Sequence, residues 1–258
     1  MNIGVSTACY YPLETEQSLE QIGRSGIDTT EIFFNAKSEL KTAFIDILKD
    51  IKNTYEIKVS SIHPTFSLAE SFMIFSAYER RFYEALDDYE RYSEIAAELG
   101  AKYIIMHGGK PNGILSDEEY CERYMLLKER TLKNGVTVLQ ENVFHHRSGD
   151  IQFMRSICDI LKNDAEFCFD IKQSIRCGYS PLELIGEFST NIRHFHISDH
   201  SLASDCMLPG CGKFDFAGFF KLIKNMHYSG SCIIEVYNNA YQNFNEITNS
   251  YKNLVKII

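Results

Sequence analysis

Short apolar runs rich in β-branched and aromatic residues alternate along this chain with longer stretches of helical periodicity. That alternation predicts crossover units wound on a parallel sheet. Eight strands are expected, over residues 3–7, 29–34, 57–63, 103–107, 136–141, 166–170, 192–197 and 232–236. The helical signal is strongest between Ala77 and Leu99, where Phe82, Ala85, Leu86, Tyr89, Tyr92, Ala96 and Leu99 recur at intervals of three and four. Gly100 follows where a left-handed C-terminal cap belongs. Ser116 with Glu119 reads as a capping box, Ser180-Pro181 as an N-cap before a first-turn proline, and Asp215 as the cap of a helix through Phe219 and Phe220. Eight strand–helix units without an intervening linker suit one (β/α)8 TIM barrel, expected as a single domain over residues 1–258. The longer loop 200–214 is expected on the face where such barrels carry their sites.

Four of the runs stop at a metal-capable side chain: Leu139-Gln140-Glu141, Phe167-Cys168-Phe169-Asp170, Arg193-His194-Phe195-His196 and Ile233-Ile234-Glu235. A parallel barrel delivers every strand's carboxyl end to one face, so these four residues are expected to converge there. Singly, each has an ordinary structural use, such as capping the next helix. Together, they would be buried charges that a shared cation relieves. Three oxygen donors and one imidazole suit Mn²⁺, Mg²⁺ or Co²⁺, with Zn²⁺ also compatible.

His63 and His107 also close apolar runs and should point into the same mouth, where substrate contact is preferred over a second metal. His145, His146, His200 and His227 fall in loops or near helix ends and are expected at the solvated surface. Lys172, two residues past Asp170, either polarises a substrate carbonyl or faces water. Glu31, within the run 29–34, either points inward as a base behind the site or joins a structural ion pair, the preferred reading. Arg147, Arg176 and Lys213 are read as solvated rim charges.

Composition narrows the class. With 45% hydrophobic and 24% charged residues, the 258-residue chain is ordinary for a globular protein. A net charge of −9 argues against charge-driven nucleic-acid binding. No apolar run reaches the roughly 18 residues of a membrane helix, and Met1-Asn2-Ile3-Gly4 lacks a signal pattern, so a soluble cytoplasmic protein is expected. The eight cysteines are scattered without a C-x-x-C pair and read as reduced, mostly buried thiols.

Ala96-Ala97-Glu98-Leu99-Gly100-Ala101 leading to Met106-His107-Gly108-Gly109, then Gln140-Glu141-Asn142-Val143, Phe169-Asp170, His194-Phe195-His196-Ile197-Ser198-Asp199, Pro209-Gly210-Cys211-Gly212 and Ile234-Glu235-Val236-Tyr237 form an ordered set. The set resembles the xylose isomerase-like TIM-barrel superfamily, which includes sugar and sugar-phosphate isomerases and epimerases and the apurinic-site endonucleases. Its ketose 3-epimerase-like members hold one divalent metal with two glutamates, an aspartate and a histidine. The matching positions are Glu141, Glu235, Asp170 and His196. The resemblance implies that the two glutamates move a proton at the sugar carbon beside the carbonyl while the metal stabilises an enediolate. It also places His63 and His107 at two of the extra ligands of the endonucleases' three-zinc cluster. Here, however, the histidine expected after the aspartate is Gln173, and the expected Asp-x-His reads Asp205-Cys206-Met207.

The sequence therefore supports a metal-dependent isomerase or epimerase of a sugar, sugar phosphate or polyol-derived ketone. Glu141 and Glu235 would be acid/base groups as well as ligands, and His63, His107 and Lys172 would contact a small carbohydrate. An endonuclease-type phosphodiesterase, a polyol-ketone dehydratase using the same groups and a non-catalytic sugar-binding barrel are the competing readings. Nucleic acid and membrane partners are not expected, and self-association into a homo-oligomer is left open.

Overall fold

The computed structural model describes residues 1–65 and 69–258. Each expected strand forms there within two residues of its predicted ends: β1 Asn2–Ser6, β2 Thr29–Phe33, β3 Lys58–His63, β4 Tyr103–Met106, β5 Thr137–Glu141, β6 Phe167–Asp170, β7 Ile192–Ile197 and β8 Ser231–Ile234. All neighbouring pairs are parallel, the order around the ring is the order in sequence, and β1 pairs with β8 to close the barrel. The fold is a (β/α)8 TIM barrel.

Alternation along the strands separates two environments. Outward residues such as Ile104, Val138, Phe167 and Phe195 join the large core between strands and helices, whereas Ile105, Leu139 and Cys168 form a small apolar cluster of their own. Two residues further along the same faces come Glu141 and Asp170. On β2, β3 and β7 the inward positions Glu31, Ser61, His194 and His196 are polar and all buried. The barrel is thus plugged by hydrocarbon on one wall and lined with ionisable groups above and across from it.

The helix Glu79–Leu99 buries the predicted stripe, together with Ser93 and Ile95, and ends at Gly100 with φ 82°. Ser116 and Glu119 exchange both hydrogen bonds of the capping box. Asp215 accepts from the Gly218 amide at 2.8 Å. Ser180 precedes Pro181 as expected, but its side chain caps nothing. The segment after β7 folds around the buried Asp199 carboxylate, which accepts the amides of His200, Gly210, Gly212 and Phe214. The Gly210-Cys211-Gly212 stretch is therefore a turn wrapped on an internal anion.

Gly108 is the position where backbone and packing leave no alternative. Its φ is 87°, and a Cβ would lie 2.2 Å from the Tyr120 hydroxyl and 2.7 Å from Gln140 Oε1. Tyr120 cannot retreat, because its ring is stacked on Phe75 at 4.0 Å and packed edge-on with Phe153 at 4.9 Å. Gly108→Ala is expected to cost about 2–5 kcal/mol from combined strain and overpacking. Chemical denaturation measures this, and a loss below about 1 kcal/mol would contradict it.

Candidate functional site

The four strand-end residues meet at the C-terminal mouth. Glu141 ends β5, Asp170 ends β6, His196 lies on β7 and Glu235 directly follows β8. One ligand-type atom from each falls within 4.8 Å of the other three. His196 Nδ1 is 3.3 Å from Glu141 Oε1, 3.6 Å from Glu235 Oε2 and 4.0 Å from Asp170 Oδ2.

Local structure fixes these side chains. Asn142 clamps the ends of β5 and β6 by accepting the Asp170 amide at 2.7 Å and donating to its carbonyl at 3.0 Å. Asp170 Oδ1 accepts the Gln173 amide at 3.0 Å and so caps the short helix Ile171–Arg176. Its Oδ2 is left pointing into the centre. Asp170 Oδ2 and Glu141 Oε2 are buried and accept no hydrogen bond among the described residues. Lys172 Nζ and His107 Nε2 stand 3.1 Å from them respectively, at ion-pair distance but out of hydrogen-bonding line.

Lys172 does not face water. It is 2% exposed, with Nζ 3.0 Å from Glu235 Oε2 and 5.0 Å from the centre of the Tyr237 ring. Burial opposes its charge, but Asp170 and Glu235 overcome that and hold its ammonium well above the usual lysine range. Burial, reinforced by Glu141 and Glu235 against the opposing pull of Lys172, lifts the Asp170 carboxyl to about 6. Glu141 moves the other way: burial would raise it, but the imidazoles of His107, His196 and His63 hold it well below the carboxylate range.

His63 and His107 also reach the mouth. Their Nε2 atoms lie 3.9 and 3.1 Å from Glu141 Oε2, and their rings meet edge-on at 4.7 Å. With Glu141 they form a second group of ligand-type atoms within 4.8 Å. Above the four strand-end residues opens a cavity of about 460 Å³, walled by Tyr11, Phe33, Phe34, Val236 and Tyr237, with His63, His107, Glu141, Lys172 and Glu235 as its charged or titratable lining.

Several sequence expectations fail here. His146 is buried rather than solvated, with neither ring nitrogen hydrogen-bonded among the described residues, and burial lowers its pKa to about 4. His200 is half-buried, whereas His145 and His227 are exposed as expected. Arg147 is not a free rim charge: it pairs with Asp117 and stacks over Phe153 at 4.4 Å. Arg176 is held by both oxygens of Asp205. Gln173 uses its Oε1 to accept the Phe144 amide at 3.1 Å.

Glu70 was not anticipated. Its buried carboxylate accepts the amide of His107 at 2.7 Å, the amide of Gly108 at 3.2 Å and the Tyr89 hydroxyl at 2.7 Å, and thereby fixes the turn that carries His107. No pattern in the sequence marks it, because the contact spans 37 residues. His194 had a signal: it precedes His196 by two on the same strand face.

The profile of the xylose isomerase-like TIM barrel family matches residues 19–254. The chain belongs to that family. The chain is similar to an uncharacterised protein of Mycobacterium leprae, 23% identical over 92% of this chain and 89% of its own length. An inosose dehydratase of Clostridium botulinum is 22% identical over 85% of this chain and 81% of its own. Among solved structures, a D-tagatose 3-epimerase-like protein superposes with a TM-score of 0.82 at 21% identity, covering 100% of this chain and 97% of the other. The IOLI protein with a bound zinc atom gives 0.79 at 18%, covering 100% and 98%. At these identities the superpositions establish the shared barrel of this xylose isomerase-like chain. Among the described residues no helix is long and apolar enough to cross a membrane.

Proposed function

We propose that the chain is a divalent-metal-dependent isomerase or epimerase of a sugar or sugar phosphate, working by proton transfer at the carbon beside the carbonyl. The observation that carries this reading is the convergence of Glu141, Asp170, His196 and Glu235 within 4.8 Å, with two of their carboxylate oxygens buried and accepting no hydrogen bond among the described residues. Three carboxylates packed this closely repel unless a cation lies among them. Without an ion, Lys172 and the imidazoles of His107 and His196 supply the positive charge, and a divalent ion would take the place of the imidazole proton that faces the carboxylates. The donor set fits Mn²⁺, Mg²⁺, Co²⁺ or Zn²⁺.

Such an ion would supply Lewis-acid stabilisation of the negative charge that builds on the substrate oxygens. The protein's own groups do the rest. Glu141 and Glu235 come from strands three places apart around the ring, so their carboxylates reach the mouth from different sides. One removes the proton and the other returns it, which inverts the carbon when the faces differ. His63, His107 and Lys172 contact the substrate's oxygens, while Tyr11, Phe33, Phe34 and Tyr237 cover its apolar face and exclude water.

A polyol-ketone dehydratase uses the same proton abstraction next to a leaving hydroxyl, and the likeness to inosose dehydratases supports it as the second reading. Incubation with a panel of ketoses and cyclic polyol ketones in D₂O with Mn²⁺ or Co²⁺ separates the two. An epimerase incorporates deuterium at the carbon beside the carbonyl and forms the epimer, whereas a dehydratase releases water. Absence of exchange or elimination with every compound, alongside cleavage of an abasic duplex, would replace both readings by the phosphodiesterase.

A further inference from the structure

His196 faces two ways. Its Nδ1 is turned to the carboxylates of Glu141, Glu235 and Asp170, while Nε2 lies 3.0 Å from Glu31 Oε2 across the barrel. Glu31 comes from β2, three strands from β7, and is fully buried. A shelf of neighbours holds its carboxylate: Ser61 donates to Oε2 at 2.7 Å, and His194 Nε2 stands 3.5 Å from the same oxygen and 3.1 Å from the Ser61 hydroxyl. The Ser61 contact follows from the strand register, which sets Glu31 opposite Ser61.

A neutral imidazole carries one N–H, and the nitrogen that binds a cation must present its lone pair. A carboxylate 3.0 Å from Nε2 places the proton there. When a cation among the three carboxylates takes the place of an Nδ1 proton, the Nδ1 lone pair is aimed at it while the Nε2 proton stays on Glu31. The contact also fixes the ring plane, since Nε2 and Nδ1 are tied on opposite edges. The sequence leaves Glu31 between a structural ion pair and a base behind the site.

We propose that Glu31 is a positioning residue for metal binding: it holds His196 in the tautomer and orientation that direct Nδ1 into the centre, and Ser61 and His194 in turn orient Glu31. This inference rests on the metal-centre reading. Carboxylates behind ligating histidines commonly raise metal affinity by about 10–100-fold.

The test is Co²⁺ affinity by competition with a chromophoric chelator, together with the visible absorption of the Co²⁺ protein, for wild type, Glu31→Gln and Ser61→Ala. Glu31→Gln is expected to weaken binding about 10–100-fold and to shift the cobalt bands. Ser61→Ala, which removes only a hydroxyl, is expected to weaken binding in the same direction and decides the matter if Glu31→Gln fails to fold. Variants that bind Co²⁺ within about twofold of wild type with unchanged bands would overturn the positioning role alone. A wild-type protein that takes up no ion would overturn both this role and the metal centre.

Discussion

Glu141→Gln is expected to remove nearly all turnover while leaving the barrel folded. The substitution keeps the shape of a buried side chain that lies 3.3 Å from His196 and 3.1 Å from His107, but removes both its charge and its capacity to carry a proton. Loss of a general acid/base group alone costs about 10²–10⁴-fold, and loss of a ligand adds to that, so kcat/KM is expected to fall at least about 10³-fold. Stability of the metal-free protein should fall moderately, because the folded site holds Glu141 ionised and the imidazoles of His107, His196 and His63 lose their counter-charge. Steady-state kinetics with thermal melts in the presence and absence of metal measure both effects. Activity within tenfold of wild type would remove Glu141 from the machinery, and a non-catalytic sugar-binding barrel would become the better account.

Lys172→Met is expected to act on stability first. The ammonium is the counter-charge of Asp170 at 3.1 Å and of Glu235 at 3.0 Å, in a site where the lysine is 2% exposed. Methionine fills the space but leaves the two carboxylates facing each other and Glu141. Removing one partner of a buried ion pair typically costs about 3–5 kcal/mol. For a chain of this length that lowers the melting temperature by roughly 10 °C. A divalent ion should restore more stability to the variant than it adds to wild type, since it replaces the missing charge. An unchanged melting temperature in the metal-free variant would mean that Lys172 does not balance the centre.

The contrast between these two residues marks what the sequence makes legible. Glu141, Asp170, His196 and Glu235 each close an apolar run, and strand periodicity together with parallel closure is enough to bring run ends to one place. The same logic placed His63 and His107. Lys172 escaped it because no apolar period governs its direction: Asp170 caps the short helix Ile171–Arg176, and that helix turns the lysine inward. His146 was misplaced for a related reason. Its burial comes from the tight turn Arg147–Gly149, anchored by the Arg147 amide on the Gly109 carbonyl, a contact between loops that leaves no trace in local pattern. Glu70 belongs with these, as a residue defined wholly by a distant backbone. The barrel was legible because its strands are repeated and local; the supports around its mouth were not, because each depends on one particular long-range contact.

Elemental mass spectrometry on protein purified without chelator or affinity-tag metal tests the central claim most directly, alongside a Glu141→Gln/Glu235→Gln double variant. The account predicts about one divalent ion per wild-type chain and its loss from a variant that still folds. No ion in the wild type, even after reconstitution with Mn²⁺ or Co²⁺, would contradict it.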